Sequence, residues 1–259
     1  MHKIYLTLLF SIALLSGYAQ QDTAAIQTDR PDQSESAQLV KPGKYQFELG
    51  AFYNPFRNGE PTALIGAALL RVGLLKRLEL GFLIEEGRNR DYFIEETTQG
   101  LYPLALRTKL SLFENKKSGT NLALVTYLKL PGTARSSEQN AYWSPAFILA
   151  LDQELSDKWM IEVNGGYKQN AFDPEWAWTA TTSLKYDITP KLEFFTEYFA
   201  HYANEQEPVH NIDAGAAYKI TKNIQIDAAA GGSIKSEVPN YFITGGLSFR
   251  FPKRPAASK

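Results

Sequence analysis

The stretch Asn211-Ile212-Asp213-Ala214-Gly215-Ala216-Ala217-Tyr218-Lys219-Ile220 alternates without a break. Ile212, Ala214, Ala216, Tyr218 and Ile220 fall on the even positions, against Asn211, Asp213, Gly215, Ala217 and Lys219 on the odd ones. Successive side chains of a strand point to opposite faces, so this segment has one apolar face and one polar or small face. A helix needs a period near 3.6, which is absent here. Asn121 to Leu130 reads the same way, and so does Trp176 to Tyr186.

Working outward from these, the pattern predicts twelve strands, near 44–53, 62–74, 78–88, 102–112, 121–131, 142–154, 159–169, 176–187, 191–202, 209–220, 224–234 and 240–251. Their connections alternate in kind. Leu75 to Arg77, Leu155 to Lys158, Ile188 to Pro190 and Thr221 to Asn223 are tight, whereas Gly87 to Gly100, Pro131 to Ala141 and Ala203 to Pro208 are longer and polar. An even number of strands of about 9–11 residues, with short turns on one side and longer loops on the other, describes a transmembrane antiparallel up-and-down β-barrel. A soluble sandwich also alternates, but gives no reason for loop length to alternate with it.

Composition sets the outer bounds. The 259 residues are 44% hydrophobic and 13% aromatic, which excludes a disordered chain. A formal net charge of −1 argues against nucleic acid as a partner. With no cysteine there is no thiolate catalysis, zinc finger, iron–sulfur cluster, disulfide or lipidated amino terminus. His2 and Lys3 precede the apolar run Ile4 to Leu15, and Gly17 and Ala19 are the small residues of a cleavage after Ala19. Residues 1–19 therefore read as a secretory signal peptide. Four parts follow: the signal peptide, an N-terminal segment over 20–43, a barrel over 44–251, and a basic tail over 252–259.

With the apolar faces outward, Tyr53, Tyr102, Trp143, Tyr167, Trp176, Trp178, Tyr198, Tyr202 and Tyr241 fall near the long-loop ends. Tyr45, Trp159, Tyr186, Tyr218, Phe249 and Phe251 fall near the short turns. Two aromatic girdles bracketing an aliphatic band match the two lipid–water interfaces. The same parity turns Glu48, Arg71, Glu79, Arg107, Lys109 and Lys129 to the lumen. It does the same for Glu162, Lys168, Lys185, Glu193, Glu197, His201, Asp213, Lys219, Asp227 and Arg250. A Lys or Arg facing lipid at the midplane costs about 2–4 kcal/mol, so the placement is energetically consistent. The mixed signs imply weak charge selectivity or internal pairing.

No catalytic, cofactor or metal site emerges. Glu193, Glu197 and His201 share a face at intervals of four, but on a strand such neighbours lie roughly 13 Å apart, beyond any shared metal. Barrel acyl hydrolases carry a Ser–His pair on neighbouring inward positions. Here His201 is followed by Tyr202-Ala203 and His210 by Asn211-Ile212, without the hydroxyl. The sequence thus predicts a non-enzyme without cofactor.

Before the first strand the chain reads Thr28-Asp29-Arg30-Pro31-Asp32-Gln33-Ser34-Glu35-Ser36, continuing to Pro42-Gly43-Lys44-Tyr45-Gln46-Phe47-Glu48. This resembles the amino-terminal signature of the outer-membrane transporter family named after the meta-pathway of phenol degradation. The resemblance implies an outer-membrane barrel admitting small, aromatic or hydrophobic compounds, without fixing phenol as the solute. Gly245 to Phe251 also resembles the C-terminal signal read by the barrel-insertion machinery, although the basic tail follows it. Two placements of the N-terminal segment remain open: a plug pairing with Arg107, Lys109 or Glu193, or a periplasmic tail. Two functions remain open with them. One is a passive transport barrel for small solutes in outer-membrane lipid; the other is a closed barrel that binds a surface or partner through its loops.

Overall fold

A computed structural model describes residues 24–54, 63–90, 97–136, 141–172, 174–204, 206–236 and 240–251. The predicted signal peptide and basic tail lie outside the described residues. Twelve long antiparallel strands close a barrel: β1 (Tyr45–Asn54), β2 (Ala63–Leu75), β3 (Leu78–Arg90), β5 (Leu104–Asn115), β6 (Thr120–Leu130), β8 (Ser144–Glu154), β9 (Trp159–Gln169), β10 (Trp176–Thr189), β11 (Leu192–Ala203), β12 (Val209–Thr221), β13 (Ile224–Lys235) and β14 (Tyr241–Phe251). Each long strand pairs with its sequence neighbours, and β1 closes the ring on β14 from Tyr45↔Phe251 to Tyr53↔Ile243. Closure leaves no long strand with an unpaired edge, which a bilayer requires because lipid offers backbone groups no partner.

Two short strands extend the wall where the sequence suggested only a loop. β4 (Thr97–Leu101) pairs with the end of β3, and β7 (Arg135–Ser136) pairs with β4. Between β4 and β5 the register gains one residue on the second strand: Glu86 opposes Leu101 while Leu83 opposes Ala105. The extra residue falls at Tyr102-Pro103, where proline cannot donate to the ladder. Both residues turn inward. Tyr102 is therefore buried at 7% exposure, against the expectation that it joins the outer girdle. Its ring meets Phe172 edge-on at 5.6 Å.

The distribution of burial is inverted relative to a soluble protein. Phe147, Leu149, Ile212, Ile226, Ile243 and Leu247 are exposed, whereas Arg71, Glu79, Arg107 and Lys109 are no more than 1% exposed. The apolar parity forms the lipid-facing surface and the polar parity the interior. Cross-strand aromatic pairs mark both rims of that surface. Phe47 stacks on Phe249 at 5.4 Å, and Trp159 packs tilted against Tyr186 at 4.5 Å, near the short turns. Tyr167 packs against both Trp176 and Trp178 at 4.5 Å near the long loops. Leu149 sits midway along β8 on the outer face. Leu149→Arg should therefore lower folding stability in bilayers by about 2–4 kcal/mol, measured by denaturant titration. An unchanged midpoint would contradict a lipid-facing position.

Candidate functional site

Residues 24–43 form no regular element, yet they run through the barrel interior. The segment starts at the short-turn end, where Ile26 N–H donates to the Lys222 carbonyl and Arg250 donates to the carbonyls of Ala24 and Ala25. It crosses the lumen and returns to the same end, where Gly43 N–H donates to the Gly73 carbonyl just before β1 begins. Gly73 is required there, because a Cβ would lie 2.1 Å from the Lys41 carbonyl oxygen.

Irregular backbone inside a barrel needs a partner for its amide groups. Inward carboxylates supply several. Asp29 N–H donates to Glu48, Gln33 N–H to Glu197 at 2.7 Å, Ala37 N–H to Asp152 at 2.8 Å, and Val40 N–H to Glu79 at 2.7 Å. Glu35 N–H donates to the Asn164 side chain, which donates back to the Glu35 carbonyl. Ser34 Oγ–H donates to Glu197 and lies 2.6 Å from the Thr181 hydroxyl.

The side chains of Thr28 to Asp32 each find a wall partner, except that Pro31 contributes only shape. Gln225 donates to the Thr28 hydroxyl at 2.7 Å. Asp29 lies among three cations: Arg107 Nη2 at 2.6 Å, Lys109 Nζ at 2.8 Å and Arg71 Nη1 at 2.9 Å. Burial alone would raise its pKa, but Arg71, Lys109 and Arg107 together hold the carboxyl well below the usual carboxylate range. Arg30 turns to the adjoining wall of β14 and β13, where it reaches Asp227 at 3.2 Å and the Thr244 hydroxyl at 2.9 Å. Its guanidinium lies over Gly50 and Gly246, which face each other across β1 and β14; a Cβ at Gly50 would come within 1.9 Å of it. Asp32 pairs with Lys185, which also holds Glu162.

The node around Asp29 continues into the wall. Glu79 receives both Arg71 and Arg107, Glu48 receives Arg71, and Glu35 reaches Arg107 and the Tyr127 hydroxyl. Of the inward candidates, Glu48, Arg71, Glu79, Arg107 and Lys109 belong to this one network. Glu197 receives the Gln33 amide, and Asp213 lies beside it, 4% exposed, in register on β12. Arg250 fixes the start of the segment. Lys129 sits in the long-loop half, paired with Glu85 at 3.0 Å. Glu193 lies near the short turns and His201 near the long loops, at opposite ends of β11. Among the described residues no cluster of three His, Asp or Glu is arranged to hold a metal ion.

Sequence reasoning passed over Asp152, Asn164, Tyr127 and the glycine pair. Asp152 was within reach, being a charge on the inward parity of its strand, two residues before Glu154 at the strand's end. Nothing in the sequence says that Gly50 and Gly246 make room for Arg30.

A groove of about 880 Å³ lies elsewhere, on the outer face of β14, β1, β2 and β3, around Ala51, Gly66, Ala68 and Gly245. Leu49, Leu64, Ile84 and Leu247 flank it, so it belongs to the lipid-facing surface.

Comparison with solved structures places this architecture among outer-membrane channels. The COG4313 outer membrane channel from Pseudomonas putida F1 superposes with a TM-score of 0.68 at 16% identity, over 86% of this chain and 99% of that one. The NanC porin gives 0.58 at 7% identity, over 78% of this chain and 98% of its own. The KdgM porin gives 0.56 at 10% identity, over 80% and 99%. A search of curated proteins finds no similar sequence. The profile of one family spans residues 28–251, from the motif that fills the lumen to the last strand, and the chain belongs to that family, described as "Putative MetA-pathway of phenol degradation".

Proposed function

We propose that the protein is a passive outer-membrane channel for small solutes, whose bore is set by residues 24–43. The observation that carries this reading is the division of the lumen into two halves. The short-turn half holds the segment and its buried ion pairs. The long-loop half still admits solvent, since Lys168 faces inward on β9 and is nevertheless exposed. Solutes would move by diffusion, with selectivity set by width and lining groups rather than by a conformational cycle. Near-balanced charge around the segment supports weak ionic selectivity there. The aromatic end of β14, with Phe249 and Phe251 packed edge-on at 5.5 Å, supports handling by the barrel-insertion machinery.

A second reading, a closed barrel that binds a partner through its loops, draws support from the number of wall strands the segment touches. Liposome swelling with graded sugars and aromatic acids separates the two, because only a channel gives permeation above empty liposomes.

Removing residues 24–36 should raise single-channel conductance several-fold. Unchanged conductance would contradict a segment that sets the bore. Asp29→Asn should weaken docking of the segment by about 3–5 kcal/mol, because it leaves three buried cations short of a partner. Hydrogen exchange of the amides over 29–38 reads that loss. With its folded pKa lowered, Asp29 contributes docking stability in full above the ordinary value of 3.8. The contribution fades only as pH falls through the lowered value. Its ion pairs should therefore persist at pH 5, and exchange protection lost specifically between pH 7 and 5 on account of Asp29 would contradict the assignment.

A further inference from the structure

Above the segment, the long-loop half of the lumen has two unlike walls. Lys129 on β6, Lys168 on β9 and His201 on β11 each lie nine residues along their strands from the short-turn end. Phe242 on β14 also lies nine residues from that end, at Phe251. The register links the three basic positions through small or neutral neighbours: Lys129 opposes Ser144, Lys168 opposes Ala146 and Ala177, and His201 opposes Thr179. Each basic residue is two strands from the next, roughly 10 Å at the usual strand spacing.

Half the circumference from Lys168, Phe52 on β1 stacks on Phe242 at 5.1 Å; Phe242 is buried beneath it and is also reached at 6.0 Å by Phe199, two positions before His201 on β11. Counting around the ring in either direction, β1 lies six strands from β9, so Phe52 and Lys168 face each other across the lumen. Lys129 is partly neutralised by Glu85. Among the described residues no carboxylate lies within ion-pair distance of Lys168, although deeper positions of the same lumen are densely paired. Glu197 and Asp213, the acids nearest His201 on its side, sit lower and are buried at 2% and 4% exposure.

We infer that this vestibule binds small amphiphilic monoanions, an aromatic or similarly apolar ring carrying one carboxylate, with the ring against Phe52 and the charge toward Lys168. The inference rests on the lumen being a solute path. A cation with no carboxylate in contact, inside a low-dielectric wall, concentrates anions at that point. A wholly apolar solute would leave Lys168 facing it without a counter-charge, at a desolvation cost. A compact inorganic anion would gain nothing from the phenylalanine wall. The ligand that satisfies both sides is the amphiphile.

The full mature chain in lipid nanodiscs, with empty nanodiscs subtracted, can be titrated with phenylacetate, phenylacetamide and phenethylamine and followed by saturation-transfer NMR. Phenylacetate should bind about tenfold more tightly than the amide, and the amine most weakly. Lys168→Glu should abolish that preference, and Lys168→Gln, a milder change in the same pose, should reduce it. Phe52→Ala should weaken phenylacetate and phenylacetamide together. Equal binding of the three probes, or phenylacetate binding unchanged in Lys168→Glu, overturns the inference. Arabinose permeation into liposomes carrying the same preparation reports on the channel by itself. Indifference to charge with arabinose still crossing therefore removes the anion site and leaves the channel standing.

Discussion

Three cations within 2.9 Å of one buried carboxylate hold this lumen together. Arg71, Arg107 and Lys109 face inward from β2 and β5, and none can be solvated where it sits. Charges buried in this way are tolerable only when paired and hydrogen-bonded. The wall supplies Glu48 and Glu79, and the segment supplies Asp29 and Glu35. On the other side the polarity reverses. The strands β8 to β13 present Asp152, Glu162, Glu197, Asp213 and Asp227, and the segment answers with Arg30 and with backbone amides. The segment thus carries Asp29 and Glu35 toward the basic wall, and Arg30 and backbone amides toward the acidic one, where Asp32 meets Lys185. A chain without regular structure can lie inside a barrel because its amide groups and side chains are answered by the wall.

This arrangement explains why the stretch from Thr28 to Asp32 carries the family resemblance. Within five residues, Thr28 and Arg30 contact Gln225 and Asp227 on β13, Asp29 contacts Arg107 on β5, and Asp32 contacts Lys185 on β10. Moving any of them by one position would take a charge or a hydroxyl away from its partner. The glycines under Arg30 belong to the same constraint, since a side chain at either would occupy the guanidinium's space.

Much of the fold was legible because a period of two survives in any strand with lipid on one face and water or polar groups on the other. Bounds drawn from Asn211–Ile220 or Trp159–Gln169 needed almost no correction for that reason. Tyr102 escaped because parity is a local count, and a single extra residue at Tyr102-Pro103 resets it. The inward charges were legible by the same count, but their partners were not. Arg107 and Asp29 are separated by 78 residues, and only the closed register brings β5 opposite the returning segment. The two halves of the lumen follow from where that segment stops. Below, charge is consumed internally; above, Lys168 is left facing an aromatic wall.

The most direct test of this account is a crosslink, which the cysteine-free chain makes clean. The hydroxyls of Ser34 and Thr181 lie 2.6 Å apart, one on the segment and one on the wall of β10. Ser34→Cys with Thr181→Cys, in protein folded in membranes and exposed to mild oxidant, should form an intramolecular disulfide in most molecules, reversible by reductant and absent from either single variant. A folded double variant in which both thiols stay free to alkylation would contradict a segment lodged in the lumen.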